Sequence, residues 1–92
     1  MGFQWNPKKA EANFRKHGVD FADAVGIFED IYALTLREEP HQSESRFVTT
    51  GSDFLGRVVT VVYTIRNEDY RIISARESTK RARKEYEEGI RF

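Results

Sequence analysis

The chain has 92 residues, which predicts one domain spanning residues 1–92. Fifteen basic and fifteen acidic residues balance, which argues against a general polycation that coats nucleic acid. Cysteine is absent, so disulfides, thiolate catalysis and cysteine-based zinc sites are excluded. With only two histidines, His17 and His41, we expect neither a metal site nor a cofactor. No apolar run is long enough to cross a membrane and no signal-peptide core is visible, so we expect a cytoplasmic protein.

A first helix is predicted by its start and stop signals. Asn6-Pro7 favours a helix start, because Asn caps free N–H groups and Pro needs none at the first helical position. The helix should run to about His17, where Gly18 supplies the left-handed conformation that ends it. We expect Ala10 and Phe14 on its inner face.

A second helix should follow, with Asp20 as its N-cap, and end at about Phe28. Its apolar residues recur at helical spacing and should face the core. They are Phe21, Ala24, Val25 and Phe28.

From Ile31 onward the apolar pattern has a period of about two residues, which is typical of strands. The predicted strands are Tyr32–Leu36, Arg46–Thr50, Arg57–Ile65 and Tyr70–Glu77, and Met1–Trp5 reads as a short edge strand. Arg37–Ser45 is polar and contains Pro40, so we expect a loop that leaves His41 in solvent. A last helix, capped by Ser78 or Thr79, should run to about Glu88.

These elements predict an α+β fold with two N-terminal helices, a four-stranded, mostly antiparallel sheet and a C-terminal helix. The two N-terminal helices should cover one face of the sheet. The other face should be more polar, carrying Ser74 and Arg76. In a regular last strand, Arg71 would point to the opposite face from Arg76.

Charge is concentrated where the last strand meets the last helix, in YRIISARESTKRARKEY (Tyr70–Tyr86). Four cations, Lys80, Arg81, Arg83 and Lys84, sit in the first turns of the helix, and glutamates sit near its end. The helix dipole prefers the reverse arrangement, by about 0.3–1 kcal/mol for each charge near an end. A sequence that departs from a local rule in this way indicates a functional site, and clustered cations beside a strand-borne arginine suit a nucleic-acid backbone.

At this point the chain resembles BrnT, the ribonuclease toxin family of BrnT–BrnA toxin–antitoxin modules. The residues that carry the resemblance are WNPKKAEANFRKHGVDF (Trp5–Phe21), SRFVTTG (Ser45–Gly51), GRVVTVVYT (Gly56–Thr64) and RIISARESTKRARKEYEE (Arg71–Glu88). The resemblance implies a fold similar to RelE-type toxins and a metal-independent endoribonuclease that inhibits translation. It also implies a hetero-oligomer with a BrnA-type antitoxin, which blocks toxicity by binding and contacts operator DNA on behalf of the complex. No membrane partner is implied.

One position departs from the family pattern. Family members usually carry an acidic residue where this chain has Ala82, giving T-x-x-E from Thr79. One interpretation is a capping box, whose loss costs about 0.5–1 kcal/mol and leaves function intact. The other is that the acid takes part in catalysis or orients an arginine, so that this chain is attenuated.

Metal-free RNA cleavage proceeds by attack of the 2′-OH on the adjacent phosphate, and it needs cations, a base and an acid. Arg76 is the first candidate for holding the phosphate, and Arg46 is the second. Lys80 and Arg83 follow, three residues apart on one helix face. Each has a plainer alternative: a carboxylate partner for Arg76, a solvated edge-strand position for Arg46, and a solvated or antitoxin-binding helix face for the other two.

Further candidates carry protons or contact RNA. His17, in the motif KHG, could act as a base or acid, although a histidine at a helix C-terminus is also favourable for electrostatic reasons alone. Tyr63 is a candidate proton donor, and Tyr86 could stack on a base, although each such tyrosine is more often a core or rim aromatic. The remaining candidates for RNA contact are Lys16, Arg81 and Lys84.

The sequence therefore favours an endoribonuclease toxin held in check by an antitoxin. The alternative is a catalytically attenuated member that acts only as an antitoxin-binding or RNA-binding module. A DNA-binding repressor is disfavoured, because the second helix uses its apolar stripe for the core and no polar recognition helix is visible.

Overall fold

A computed structural model describes residues 1–90 of the chain. Helix α1 (Pro7–His17) begins and ends as predicted. The Asn6 side chain accepts hydrogen bonds from the N–H groups of Lys8 and Lys9, at 2.9 and 3.2 Å. Gly18 has a φ of 72° and donates its N–H to the Phe14 carbonyl, which closes the helix.

The inner face of α1 differs from the expectation at one residue. Phe14 is 54% exposed, so its predicted place in the core is wrong. Asn13, one position earlier, is buried instead. A polar side chain occupies this inward position because it bonds to the sheet below.

The expected second helix is present only in part. Helix α2 (Phe21–Ala24) starts at the Asp20 cap but continues as a 3-10 helix over Val25–Glu29. The change coincides with a close contact: a Cβ on Gly26 would lie 2.5 Å from the Phe54 nitrogen. Phe54 also donates its N–H to the Asp23 carbonyl, which binds this segment to the turn after the third strand.

The sheet has five strands rather than the expected four, in the order β1-β5-β4-β3-β2. They are β1 (Phe3–Gln4), β2 (Leu34–His41), β3 (Glu44–Ser52), β4 (Val58–Arg66) and β5 (Asp69–Glu77). The added strand is the apolar start of the chain, and the prediction that it forms an edge strand is confirmed. It runs parallel to β5, whereas all other neighbours are antiparallel.

The predicted loop at Arg37–Ser45 is wrong. Strand β2 continues to His41, and β3 begins at Glu44 after a two-residue turn in which Gln42 has a φ of 54°. Pro40 is tolerated because β2 is an edge strand, where a missing N–H need not break a ladder. His41 is consequently half-buried at the end of a strand rather than in solvent.

Helices pack on both faces of the sheet. The main core lies under α1, α2 and the 3-10 helix, and its largest fully buried side chains include Phe21, Ile27 and Val61. Helix α3 (Lys80–Ile90) contacts β3 and β4 on the second face. Ala82 and Tyr86 of α3 are buried, as is Val48 of β3.

Of the two predicted caps of α3, Ser78 and Thr79, it is Thr79 whose hydroxyl accepts a hydrogen bond from the Ala82 N–H, at 3.1 Å. Within the described residues the helix extends to Ile90, two residues beyond the predicted end. Because α3 covers only part of the second face, the remainder of that face is the part of the sheet available to a ligand.

The Gly26 contact gives a stability test with a matched control. We expect Gly26→Ala to destabilise the fold by about 1–3 kcal/mol, because backbone atoms of Asp53 and Phe54 occupy the space of the new methyl group. Gly89→Ala, in α3 with open space around the Cβ position, should leave stability unchanged or raise it slightly. Urea unfolding of both variants measures the difference, and equal midpoints would contradict the packing argument.

Candidate functional site

A β-bulge in β5 decides which arginines share a face. Val62 of β4 pairs with Ser74, but its neighbour Tyr63 pairs with Ile72, so Ile73 is the extra residue. The bulge shifts the alternation by one position. Arg71, Ser74 and Arg76 therefore all point to the second face, and the expectation that Arg71 opposes Arg76 is wrong.

Arg46 of β3 lies on this same face. By alternation it shares a side with Val48, which pairs with Val62. Its Nε atom is buried and has no hydrogen-bond partner among the described residues. A buried N–H donor without a partner is uncommon in folded proteins, so the Arg46 guanidinium is less fully engaged by the protein than its burial would suggest.

The pairing of the other arginines sets these three apart. Of the nine arginines in residues 1–90, six form ion pairs with carboxylates. The three within that range that do not are Arg46, Arg71 and Arg76. We call the surface that carries them the arginine face.

Two of the three have a polar neighbour that does not cancel their charge. Arg71 donates to the Gln4 side-chain oxygen at 2.9 Å, which is a neutral partner. Arg46 stands opposite Glu39 in the β2–β3 register, but that carboxylate accepts from Arg37 at 2.9 Å. The arginine face is therefore a region of uncompensated positive charge on a protein of zero net charge.

The arginines are spread along the strands rather than gathered at one point. Arg76 pairs with Thr60 and Arg71 with Thr64. Four residues of strand separate these rows, which corresponds to about 13 Å. Arg46 lies at the Arg71 end, two strands across, so the two leading candidates for holding the phosphate, Arg76 and Arg46, stand at opposite ends of the face.

Asn13 was missed as a functional residue in the sequence, and it holds β5 in place. Its side-chain amide donates to the Ala75 carbonyl at 2.8 Å and to the Val19 carbonyl at 3.0 Å, and its oxygen accepts from the Ala75 N–H at 3.1 Å. Ala75 lies between Ser74 and Arg76. The sequence offers one signal for this role of Asn13, namely a polar residue at a helix position that should face the core.

The far end of α3 is anchored by Tyr86, whose hydroxyl donates to Asp30 Oδ2 at 2.5 Å. The same carboxylate accepts from the N–H groups of Ser52 and Tyr32, both at 2.9 Å. Partial burial alone would raise the pKa of Asp30, but these three hydrogen bonds hold it below its ordinary value. Burial first, and then the hydrogen bond to Asp30 and its charge, raise the pKa of Tyr86 to about 12.

The predicted helix cations fall into two groups. Arg81 and Arg83 form ion pairs along the helix with Glu85 and Glu87. Lys80 and Lys84 are exposed and have no carboxylate within ion-pair distance in the described range. Lys80 is the first residue of α3 and lies at the Arg76 end of the arginine face.

The remaining predicted residues do not join this face. His17 and Lys16 are at the end of α1, which packs on the opposite side of the sheet. Tyr63 faces the main core, 8% exposed, with its hydroxyl bonded to Thr49 at 3.0 Å. Tyr86 is 6% exposed and engaged by Asp30, so it offers no ring for stacking.

His41 was read from the sequence as a loop residue, but alternation along β2 places it on the arginine face. It shares a side with Glu39 and pairs with Glu44. It therefore lies at the Arg46 end of the face, and the loop prediction concealed it.

The described part of the chain offers no metal centre, since no group of three or more histidine, aspartate or glutamate side chains within residues 1–90 could hold an ion. Within the same range, no helix is long and apolar enough to cross a membrane.

The fold can be compared with those of known proteins. The fold is similar to the crystal structure of the Brucella abortus ribonuclease toxin BrnT, with a TM-score of 0.62 and 23% sequence identity, over 87% of this chain and 99% of that one. At that identity the likeness shows the fold alone. No curated protein sequence matches the chain.

A family model described as the ribonuclease toxin BrnT of type II toxin–antitoxin systems matches residues 5–82. The class of protein is therefore a ribonuclease toxin of a type II toxin–antitoxin system. Within that class, the chain belongs to the BrnT family, as its sequence motifs had indicated.

The Tyr86–Asp30 contact gives a prediction with a definite pH dependence. We expect Tyr86→Phe to lower the free energy of unfolding by about 1–2 kcal/mol at pH 7, because the hydrogen bond is to a charged acceptor. The pKa of Asp30 is lowered in the folded state, so its stabilisation is present above the ordinary value of 3.8 and is lost as the pH falls through the folded value. The difference between the parent and the variant should therefore be flat from pH 5 to about 9 and shrink below about pH 4.

At alkaline pH the stability difference between the parent and Tyr86→Phe should also shrink, because the tyrosine loses its proton. The phenol keeps its proton up to a pKa of about 12 in the folded protein, whereas the unfolded value is 10.0, so this contribution falls between those values. Urea unfolding at each pH measures the difference. A difference that persists unchanged at pH 3 would contradict the assignment to Asp30.

Proposed function

We propose that this protein is a metal-independent endoribonuclease that binds RNA on the arginine face, inhibits translation and is neutralised by a BrnA-type antitoxin. The observation that carries the proposal is the arginine face itself. Arg46, Arg71 and Arg76 share one sheet surface and are the arginines in residues 1–90 that lack a carboxylate partner.

Phosphate is the ligand that suits these side chains. An arginine presents a planar fork of donors and stays charged, so it binds phosphate oxygens two at a time. Two rows of arginine about 13 Å apart fit successive positions along an RNA backbone better than a single anion. Arg76 with Lys80 would hold the scissile phosphate, and Arg46 with Arg71 would hold a neighbouring one.

Cleavage would follow the metal-free route of RNA. The 2′-hydroxyl loses its proton to solvent as its oxygen attacks phosphorus, the bond from phosphorus to the 5′-oxygen breaks, and the products are a 2′,3′-cyclic phosphate and a 5′-hydroxyl. Arg76 would stabilise the charge that develops on the phosphate oxygens. Lys80, at the positive end of the α3 dipole, would donate the proton that the leaving 5′-oxygen needs.

Membership of the family supports a proposal for the partners and the location. A type II toxin has a protein antitoxin, and we propose that it is of the BrnA type, forms a hetero-oligomer with this chain and contacts operator DNA on behalf of the complex. The cytoplasm is the compartment in which RNA and antitoxin would both be met. We propose a correspondence with RelE-type toxins in having a helix laid across one sheet face.

A second candidate function is supported by Ala82. In this interpretation the chain binds RNA or antitoxin without cleaving, because the family's acidic residue is absent. The Thr79 hydroxyl already caps the Ala82 N–H, which favours the interpretation in which the acid is a helix cap and activity survives.

Cleavage of end-labelled RNA in EDTA tests the proposal. We expect the parent to cut, and Arg76→Ala to lower kcat by about 100- to 1000-fold, as for loss of one donor to a developing oxyanion. Arg15→Ala is the matched control, because Arg15 is an exposed arginine of α1 paired with Glu11. It should cut like the parent.

Two further variants locate the centre of the reaction. Arg46→Ala should raise KM more than it lowers kcat, since it would hold a neighbouring phosphate. His41→Ala should be nearly silent. Loss of cleavage in His41→Ala with Arg76→Ala active would instead place the scissile phosphate at the Arg46 end.

Cutting by Ala82→Glu but not by the parent would establish attenuation.

A further inference from the structure

A groove of about 270 Å³ lies on the second face of the sheet, between β2 and α3. Its lining residues are Leu36, Arg37, Thr79, Arg81, Ala82 and Glu85. Pockets for drug-sized ligands usually measure about 300–1,000 Å³, so this groove suits one small flat group rather than a large cofactor.

Measured along the strand direction, the groove lies between the two cationic ends of the arginine face, on the β2 side of the sheet. Arg37 belongs to the row that crosses the sheet through Val48, Val62 and Ser74. That row is two residues from the Arg76 row and two from the Arg71 row, or about 7 Å each way. An RNA strand that contacts both ends with phosphates further apart than adjacent ones would pass a base over this row.

We propose that this groove is a subsite for a single RNA base, with guanine preferred. The inference rests on the proposed RNA substrate and adds its base specificity. Unstacked bases in protein–RNA complexes bind on arginine planes and apolar side chains. The groove supplies both, with two arginines on opposite walls and the side chains of Leu36 and Ala82 between them.

The wall arginines are held by carboxylates, which makes them suited to stacking rather than to phosphate. Arg37 contacts Glu39 at 2.9 Å, and Arg81 contacts Glu85 at 3.5 Å. A guanidinium whose charge is already paired still presents its flat face to a base. The unpaired arginines on either side remain free for the backbone.

Glu85 sets the base preference. A carboxylate only accepts hydrogen bonds, and its single contact with Arg81 leaves acceptor positions unused. Guanine presents two adjacent donors, N1–H and the 2-amino group, that match the two carboxylate oxygens. Uracil presents one N–H between two carbonyl oxygens, which a carboxylate repels.

Binding of non-cleavable RNA tests the subsite independently of catalysis. The probes are fluorescent 2′-O-methyl hexamers of uridine with one guanosine, adenosine or cytidine, and the all-uridine hexamer as reference. A uniform background lets the strand slide until its one variable base reaches the groove. We expect the guanosine hexamer to bind the parent about tenfold more tightly than the all-uridine hexamer.

The key variant is Glu85→Gln, which keeps the size of the side chain but removes its charge. It should abolish the guanosine preference while leaving binding of the uridine hexamer within about twofold. Glu87→Gln is the matched control, because Glu87 makes the same kind of helical ion pair with Arg83 outside the groove. It should keep the preference.

The remaining outcomes separate this proposal from the proposed function. Equal binding of all hexamers by the parent, or a preference unchanged in Glu85→Gln, overturns the subsite. A preference that behaves as expected in a protein that cleaves no RNA upholds the subsite and overturns the ribonuclease proposal. No binding of any hexamer overturns both. Groove variants that weaken antitoxin binding alone would assign this surface to the antitoxin instead.

Discussion

The arrangement of the arginine face depends on the contact between Asn13 and Ala75. Strand β1 pairs with β5 only at Tyr70 and Arg71, so the outer edge of β5 beyond that point has no neighbouring strand. Asn13 takes the place of that strand by bonding both the N–H and the carbonyl of Ala75. Leaving such buried groups without partners would cost about 1–3 kcal/mol each, so the helix and strand are fixed together.

This contact also localises the bulge. The chain is pinned at Tyr70–Arg71 by β1 and at Ala75 by α1, and Ile73 lies between the two fixed points. An extra residue accommodated there changes the alternation for every residue that follows. The bulge is therefore the reason that Arg71 and Arg76 point to one surface although they are five positions apart.

Charge pairing, rather than charge content, makes this surface distinctive. Five of the six ion pairs are largely exposed and contribute little to stability, because such pairs are worth about 0–1 kcal/mol, whereas the Asp53 carboxylate that pairs with Arg57 is buried. Their effect is to cancel positive charge elsewhere on the molecule. What remains unpaired lies along one face, so a protein with equal numbers of basic and acidic residues can still attract a polyanion locally.

The parts of the fold that the sequence predicts are those that depend on neighbouring residues alone. Asn6-Pro7 and Gly18 define α1 correctly, and the branched residues of β4 define a central strand, because capping and local preference determine them. The bulge, the inward place of Asn13 and the length of β2 depend on contacts across the sheet. The residues around Ile73 and Pro40 carry no local pattern that predicts the bulge or the length of β2. The place of His41 in a strand is not predictable from the sequence for the same reason.

Helix α3 forms one wall of the groove, and hydrogen bonds fix it to the rest of the fold near its start and again at Tyr86. At its start, a chain of hydroxyl contacts runs from Ser78 to Thr60 at 2.8 Å and from Thr60 to Thr50 at 2.9 Å. At its far end, Tyr86 bonds to Asp30. Ala82 lies between these anchors and lines the groove, so its side chain sets the shape of that wall.

This position explains why an alanine there affects shape more than stability. Thr79 caps the helix without help from a carboxylate, since it accepts from the Ala82 N–H through its side chain and from the Arg83 N–H through its carbonyl. A glutamate at position 82 would add only the reciprocal half of a capping box. Because Thr79 also lines the groove, a carboxylate turned back toward it would narrow the volume that the groove now leaves open. Residue 82 is thus a determinant of whether this surface can receive a base, whatever its part in proton transfer.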